Sequence, residues 1–146
     1  MANKLTETTR SVKLSEVKRD WHLIDLKNKV LGREAGRIAQ LLQGKNKVNY
    51  VANLDMGDYV VVINAKRLKL TGSKTQKKEY QSYSGYPGGL KVESFKSLIN
   101  RKPEEVVKRA VSGMLPKNKL RKRRLARLYI FADENHNFGD KFNKNN

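Results

Sequence analysis

Cysteine is absent from the chain, which excludes disulfides and zinc–thiolate sites. Apolar runs approaching the ~18 residues of a membrane span are missing, and the opening Met1 to Arg10 lacks the apolar centre of a signal peptide. A soluble, intracellular protein is therefore expected. The two histidines, His22 and His136, stand far apart without aligned partners for a metal or a triad. The nucleotide-triphosphate loop Gly-x-x-x-x-Gly-Lys-Ser/Thr is also absent, both at Gly44-Lys45 and beyond Gly72. Acidic residues are scarce: 14 Asp and Glu face 32 Lys and Arg, leaving a net charge of +18. Such an excess makes a polyanion the default partner.

With 146 residues, one compact core plus tails is expected. We divide the chain into an N-terminal arm (1–19), a single domain (20–132) and a polar tail (133–146), with no repeat and no linker. The arm and the Asn-rich tail have too few apolar residues for cores of their own, so both are expected to be extended or mobile.

The densest feature lies between residues 113 and 127. Lys117, Lys119, Arg121, Lys122, Arg123, Arg124 and Arg127 follow Gly113-Met114-Leu115-Pro116, and no acidic residue occurs between Glu105 and Asp133. Like charges in a block repel until a polyanion neutralises them. A membrane surface fits less well than nucleic acid, because Leu120, Leu125 and Leu128 are too few to make the apolar face of an interfacial helix. Leu128 to Ala132 then has the length of a buried strand, so the block is anchored at both ends rather than free.

Around it, the pattern is α/β. Trp21 to Leu26 is a short, mostly apolar strand, and Leu31, Ala35, Ile38 and Leu42 recur at helical spacing up to a Gly44 cap. Tyr59 to Ala65 is a β-branched run without polar alternation, as in a parallel strand covered on both faces. Leu68 to Thr71 reads as a further short strand, giving four in all. Ser94 to Asn100 reads as a short helix. Pro103 opens a longer one, with Glu104 and Glu105 at its positive end and an apolar stripe of Val106, Val107, Ala110, Val111 and Met114. Asn118 is the expected cap of a helix carrying the basic block.

The candidate RNA contacts extend beyond that block. Arg33 and Arg37 lie one turn apart on the first helix, and Lys45 and Lys47 follow its end. Lys66, Arg67, Lys69, Lys74, Lys77 and Lys78 form a second basic segment, and Lys91 follows a glycine-rich stretch. Within that stretch Tyr80, Tyr83 and Tyr86 either stack on unpaired bases or pack the loop against the core. Asp55 and Asp58 flank Gly57 as a magnesium or acid–base pair would, but Asp and Gly are also ordinary turn residues before a strand.

Taken in order, these residues resemble the universal large-subunit ribosomal protein thirteen family, in its bacterial form. The resemblance runs from Trp21 to Ala132. It is carried by Trp21 and Asp25, Leu31-Gly32-Arg33, Gly44-Lys45, Asp55 with Gly57-Asp58 before Ile63-Asn64-Ala65, Thr71-Gly72 with Lys74, Gly85, Pro87-Gly88-Gly89, Ala110-Val111, and Gly113-Met114-Leu115-Pro116 with its basic sequel. It implies a three-layer α/β/α fold on a small, mainly parallel four-stranded sheet with extended basic loops and tails. It also implies contacts with large-subunit ribosomal RNA and neighbouring ribosomal proteins, a role early in subunit assembly, and a cytoplasmic, ribosome-bound location. No cofactor, metal or small-molecule substrate is expected. The tail lacks the family's His-Pro-His element, so no RNA contact is carried onto it. The alternatives from other classes are an RNA-processing or RNA-modifying enzyme using Asp55, Asp58 or His22, and a free regulatory RNA-binding protein.

Overall fold

The computed structural model describes residues 12–142. Most of the expected arm, residues 1–11, and the last part of the tail, residues 143–146, lie outside the described residues.

Three parallel strands form the centre. They are β1 (Trp21–Asp25), β2 (Tyr59–Ile63) and β5 (Leu128–Ile130), in the order β1-β2-β5. The middle strand explains the unbroken valine run: Val60, Val61 and Val62 are all fully buried, because both sheet faces and both edges of β2 are covered. Alternation along the strands divides the side chains. Ile24, Val60, Val62, Leu128 and Ile130 point into the main core.

Two amphipathic helices cover that face. The first, α1 (Leu31–Gln43), buries Leu31, Ala35, Ile38, Ala39 and Leu42. The second, α4 (Pro103–Met114), buries Val106, Val107 and Val111. Their stripes meet each other over the sheet, as their 3.6-residue periodicity requires. Gly44, at φ 79°, ends α1 and donates its N–H to the carbonyls of Gln40 and Leu41. Gly57 then passes so close to this helix end that a Cβ there would lie 1.8 Å from the Leu42 carbonyl oxygen. The loop before β2 is thereby pressed onto the C-terminus of α1.

The opposite sheet face carries rings. Trp21 stacks on Tyr59 at 4.4 Å between centroids, and Tyr129 lies 5.9 Å away. Phe138 covers both Trp21 and Tyr129, at 5.2 and 4.6 Å, and Phe142 of the short α6 (Gly139–Phe142) meets Trp21 edge-on. The tail therefore folds back onto the sheet, where composition suggested an extended segment. Its polar residues are spacers between two phenylalanines that find a ready-made aromatic surface. Phe138→Ala is expected to lower the unfolding free energy by about 1–2 kcal/mol, less than a core Phe because the ring is only half-buried. Urea unfolding at neutral pH measures this, and an unchanged midpoint would mean the tail does not hold the sheet.

The expected four-stranded sheet is corrected to three strands plus a separate hairpin. Leu68 to Thr71 forms only an isolated bridge, Val30 to Lys69, because its alternating Leu68 and Leu70 pack on the core beyond the edge of the sheet. The remaining pair, β3 (Glu79–Tyr83) and β4 (Leu90–Ser94), is antiparallel and stands beside the sheet after the short α2 (Lys74–Lys77). It feeds α3 (Phe95–Arg101), whose Phe95 and Leu98 anchor it to the core. The basic block forms α5 (Leu120–Leu125). Asn118 is not its side-chain cap: the cap position is Lys119, and Asn118 contributes only its carbonyl, to Arg121 N–H.

Candidate nucleic-acid interface

The basic block does not present all of its charges. α5 is an amphipathic cationic helix, and its inward face carries arginine. Lys117, Lys119, Lys122 and Arg123 are exposed, Arg121 is half-buried, and Arg124 and Arg127 are only 1% and 5% exposed. Arg124 and Arg127 are therefore corrected from RNA contacts to parts of the core. Their counter-charge is Asp55. Arg127 donates from both terminal nitrogens to its two carboxylate oxygens, at 2.6 and 2.5 Å, and Arg124 Nε stands 3.9 Å from it. A guanidinium fork matches a carboxylate in this way, and a lysine would not. Arg127 also reaches the Leu42 carbonyl at the C-terminus of α1, where a cation suits the negative end of the helix dipole.

Asp58, the second carboxylate of the loop, is 3% exposed and equally committed. It accepts from Lys47 Nζ at 2.5 Å and the Asp20 N–H at 3.2 Å, and pairs with His22 Nε2 at 3.1 Å. Lys47 donates as well to the Met56 carbonyl, so it is corrected to a clamp of this loop rather than an outward cation. Burial pushes both aspartates up. The Arg127 hydrogen bonds and the charges of Arg127, Arg19 and Arg124 outweigh it at Asp55, and His22, Lys47 and the Asp20 N–H outweigh it at Asp58, so both titrate below the ordinary carboxylate value. With folded-state values lowered, their stabilisation is fully present above the unfolded pKa of about 3.9 and is lost as pH falls through the lower folded values. Unfolding free energy is thus expected to be flat from about pH 7 to about pH 5 and to drop below about pH 4. A drop that set in near pH 6 would assign the effect to histidine instead.

This geometry explains why Asp55 and Asp58 make no acid–base or magnesium pair. Each is saturated by cations of its own, and the described residues hold no group of three or more His, Asp or Glu arranged to take a metal ion. No described helix is long and apolar enough to cross a membrane.

The sequence-predicted cations that face outward form three groups. Arg33, Arg37 and Lys45 are exposed on and after α1. Lys66, Arg67, Lys69, Lys74, Lys77, Lys78 and Lys91 are exposed around α2 and the hairpin. Lys117, Lys119, Lys122 and Arg123 are exposed on and before α5. Lys66 already shares an exposed ion pair with Asp133 at 3.2 Å, which is weak and easily exchanged. The tyrosines separate. Tyr80 packs against the core between Lys78 and Arg109, 5.1 and 5.4 Å from its centroid, and burial raises its pKa despite the Arg109 charge. Tyr83 and Tyr86 are 66% and 76% exposed on the hairpin and its turn. They remain free to stack, whereas Tyr80 is committed.

Sequence reasoning omitted Lys108. It is exposed on α4 and faces the cationic side of α5 across a cleft of about 530 Å³ that Arg121 and Lys122 also line. Its position beside the apolar stripe, next to Val107 and one turn before Val111, was the available signal.

Comparison with known proteins bears on this arrangement directly. The profile of the family described as Ribosomal protein L13 matches residues 19–137. The chain belongs to that family. Its relatives include the large ribosomal subunit proteins uL13 of Pelobacter propionicus, 52% identical over 88% of this chain and 90% of the relative, and of Roseiflexus castenholzii, 52% identical over 88% of each. That of Geobacter sulfurreducens is 48% identical over 89% of this chain and 91% of the relative. Members of the ribosomal protein L13 family are structural and non-enzymatic, so the enzyme reading of Asp55, Asp58 and His22 is set aside. The matched span takes in both the Asp55 loop and its Arg124 and Arg127 partners.

Proposed function

We propose that this chain is a structural constituent of the large ribosomal subunit, bound to large-subunit ribosomal RNA and ribosome-bound in the cytoplasm, and that it supports early subunit assembly. The observation that carries this reading is the separation of its cations. A minority are buried as structural ion pairs with Asp55 and Asp58, while Lys117, Lys119, Lys122, Arg123 and the groups around α1 and the hairpin face outward without carboxylates to neutralise most of them. Exposed lysines and arginines position a protein on phosphates, and Tyr83 and Tyr86 suit unpaired bases on an irregular RNA surface. The similarity to proteins named as large-subunit components favours ribosomal RNA over other polyanions. Neighbouring ribosomal proteins are further partners on this reading.

Two measurements test it. Tagged protein should sediment with large-subunit particles and their precursors in a gradient, and its affinity for a large-subunit RNA fragment should fall roughly 10³-fold or more between about 50 and 200 mM salt. Recovery only at the top of the gradient, as free protein, would favour a regulatory RNA binder outside the ribosome. A salt-independent affinity would remove the phosphate account altogether.

A further inference from the structure

Two adjoining cavities lie between α4 and the segment formed by α5 and β5. They share Lys108 and Leu125 but differ in charge. The first, about 530 Å³, is bordered by Lys108, Arg121 and Lys122, with Ser112 and Asn118 as neutral partners and no carboxylate. Within it Arg121 donates to Ser112 Oγ, while its Nε is buried and has no hydrogen-bond partner among the described residues. The second, about 400 Å³, sets Glu104 and Glu105 beside Lys102 and Lys108, so its charges balance, and has Leu125, Leu128 and Ile130 as its apolar wall. Glu105 gives only Oε1 to Arg109, at 2.8 Å.

From this difference we infer that the groove holds one unpaired nucleotide of an RNA chain, with its phosphate in the cationic cavity and its base in the charge-balanced one, where carboxylates and an apolar wall meet. The inference rests on the RNA-binding reading and specifies a site within it. A run of phosphodiesters gains nothing along the second cavity, because Glu104 and Glu105 cancel the charges of Lys102 and Lys108 there. A base is different: its faces are apolar, which suits Leu125, Leu128 and Ile130, and its edge carries N–H groups. Carboxylates accept from exocyclic amino groups, as Glu and Asp do with cytosine N4. The site therefore selects bases with exocyclic amino donors, cytosine, guanine and adenine, over uracil, which carries two carbonyl acceptors in their place. Single-stranded or bulged positions, where a base is splayed from its helix, are the natural source.

The full chain, isotopically labelled, is titrated separately with guanosine monophosphate, cytidine monophosphate, uridine monophosphate and inorganic phosphate, and backbone amides are followed by NMR. Guanosine and cytidine monophosphates are expected to shift Glu104, Lys108, Leu125, Ala126 and Ile130 together, with at least ~5-fold weaker binding of uridine monophosphate. Inorganic phosphate is expected to shift only the Lys108, Arg121 and Lys122 side. Ala126 is exposed on the wall of the cationic cavity, so Ala126→Phe fills the cleft without altering charge. It should abolish the nucleotide shifts and weaken binding of a large-subunit RNA fragment ~5–10-fold, a loss in the range of one stacked base. Equal binding of all three nucleotides, or shifts scattered over the whole basic surface, overturns the inference. So does an RNA affinity unchanged by Ala126→Phe. If RNA binding persists through any of these outcomes, only the nucleotide site falls. If the wild-type protein does not bind the RNA fragment at all, the reading beneath it falls too. Micromolar guanosine monophosphate binding that does not compete with RNA would assign the cleft to free nucleotides instead, and also overturn the inference.

Discussion

Arg127→Ala is expected to destabilise the fold by about 3–5 kcal/mol, although Arg127 belongs to a block that reads as a nucleic-acid-binding polycation. Removing one partner of a buried pair leaves the other charged and unsolvated. Asp55, 6% exposed, would keep only Arg124 Nε at 3.9 Å and the Arg19 charge, and lose both short bonds. The Leu42 carbonyl at the end of α1 would lose the Arg127 nitrogen as well. Arg127→Lys should recover only part of the loss, since an ammonium cannot bridge two carboxylate oxygens. Asp55→Ala should be at least as damaging, because Arg124 and Arg127 would then share a buried space with no counter-charge. Urea unfolding followed by tryptophan fluorescence measures all three, as Trp21 is the single tryptophan. A loss under about 1 kcal/mol for Arg127→Ala would show that the pair is solvated and that Arg127 belongs to the outer surface.

The complementary experiment concerns the exposed members of the same block. Replacing Lys117, Lys119, Lys122 and Arg123 together with Ala is expected to weaken binding of a large-subunit RNA fragment by about 10²–10³-fold at ~0.1 M salt. The slope of log affinity against log salt should shrink by about 0.7–0.9 for each of the four that meets a phosphate. Stability should hardly change, within about 0.5 kcal/mol, because all four side chains are solvated. The outcome identifies how many of the four act: a slope reduced by about 1 means one contact, and by about 3 nearly all of them. If affinity and slope were both unchanged, the footprint would have to lie on the α1 and hairpin cations instead. Together the two experiments divide one stretch of sequence into a part that folds the protein and a part that faces RNA.

Several elements were legible before any coordinates. The valine run of β2 and the periodic stripes of α1 and α4 are dictated by simple repeats, and a left-handed glycine at position 44 follows from the helix ending there. The family resemblance was carried by motifs in the same order as the elements. What stayed hidden depends on partners distant in sequence. Arg124 and Arg123 are adjacent and chemically identical, yet one is buried and the other exposed; only the location of Asp55, 72 residues from Arg127, decides which. The hairpin reads as a loop because Glu79 to Tyr83 is polar. Leu90-Lys91-Val92-Glu93 did alternate, but Leu90 and Val92 face solvent, 56% and 50% exposed, so the usual burial logic gave no orientation. The tail misled for a related reason: its composition is that of a free segment, and the two phenylalanines that anchor it need Trp21, from the other end of the domain, to have a place to go.

That last contact has a consequence for synthesis. Trp21 belongs to the first strand and Phe138 and Phe142 to the last turn of the described chain, so the ring-bearing face of the sheet cannot be closed until synthesis has passed both phenylalanines. Helices α1 and α4 can condense on one side of β1 and β2 while the other side still shows Trp21 and Tyr59 to the surroundings. β5, which brings Tyr129, also arrives late. A nascent chain of this kind carries a sticky aromatic strip from the first strand until Phe138 emerges, and such surfaces invite chaperones or self-association. Chains stalled or truncated before Phe138 should accordingly aggregate, and the arrival of Phe138 and Phe142 acts as the step that renders the newborn molecule inert toward its neighbours.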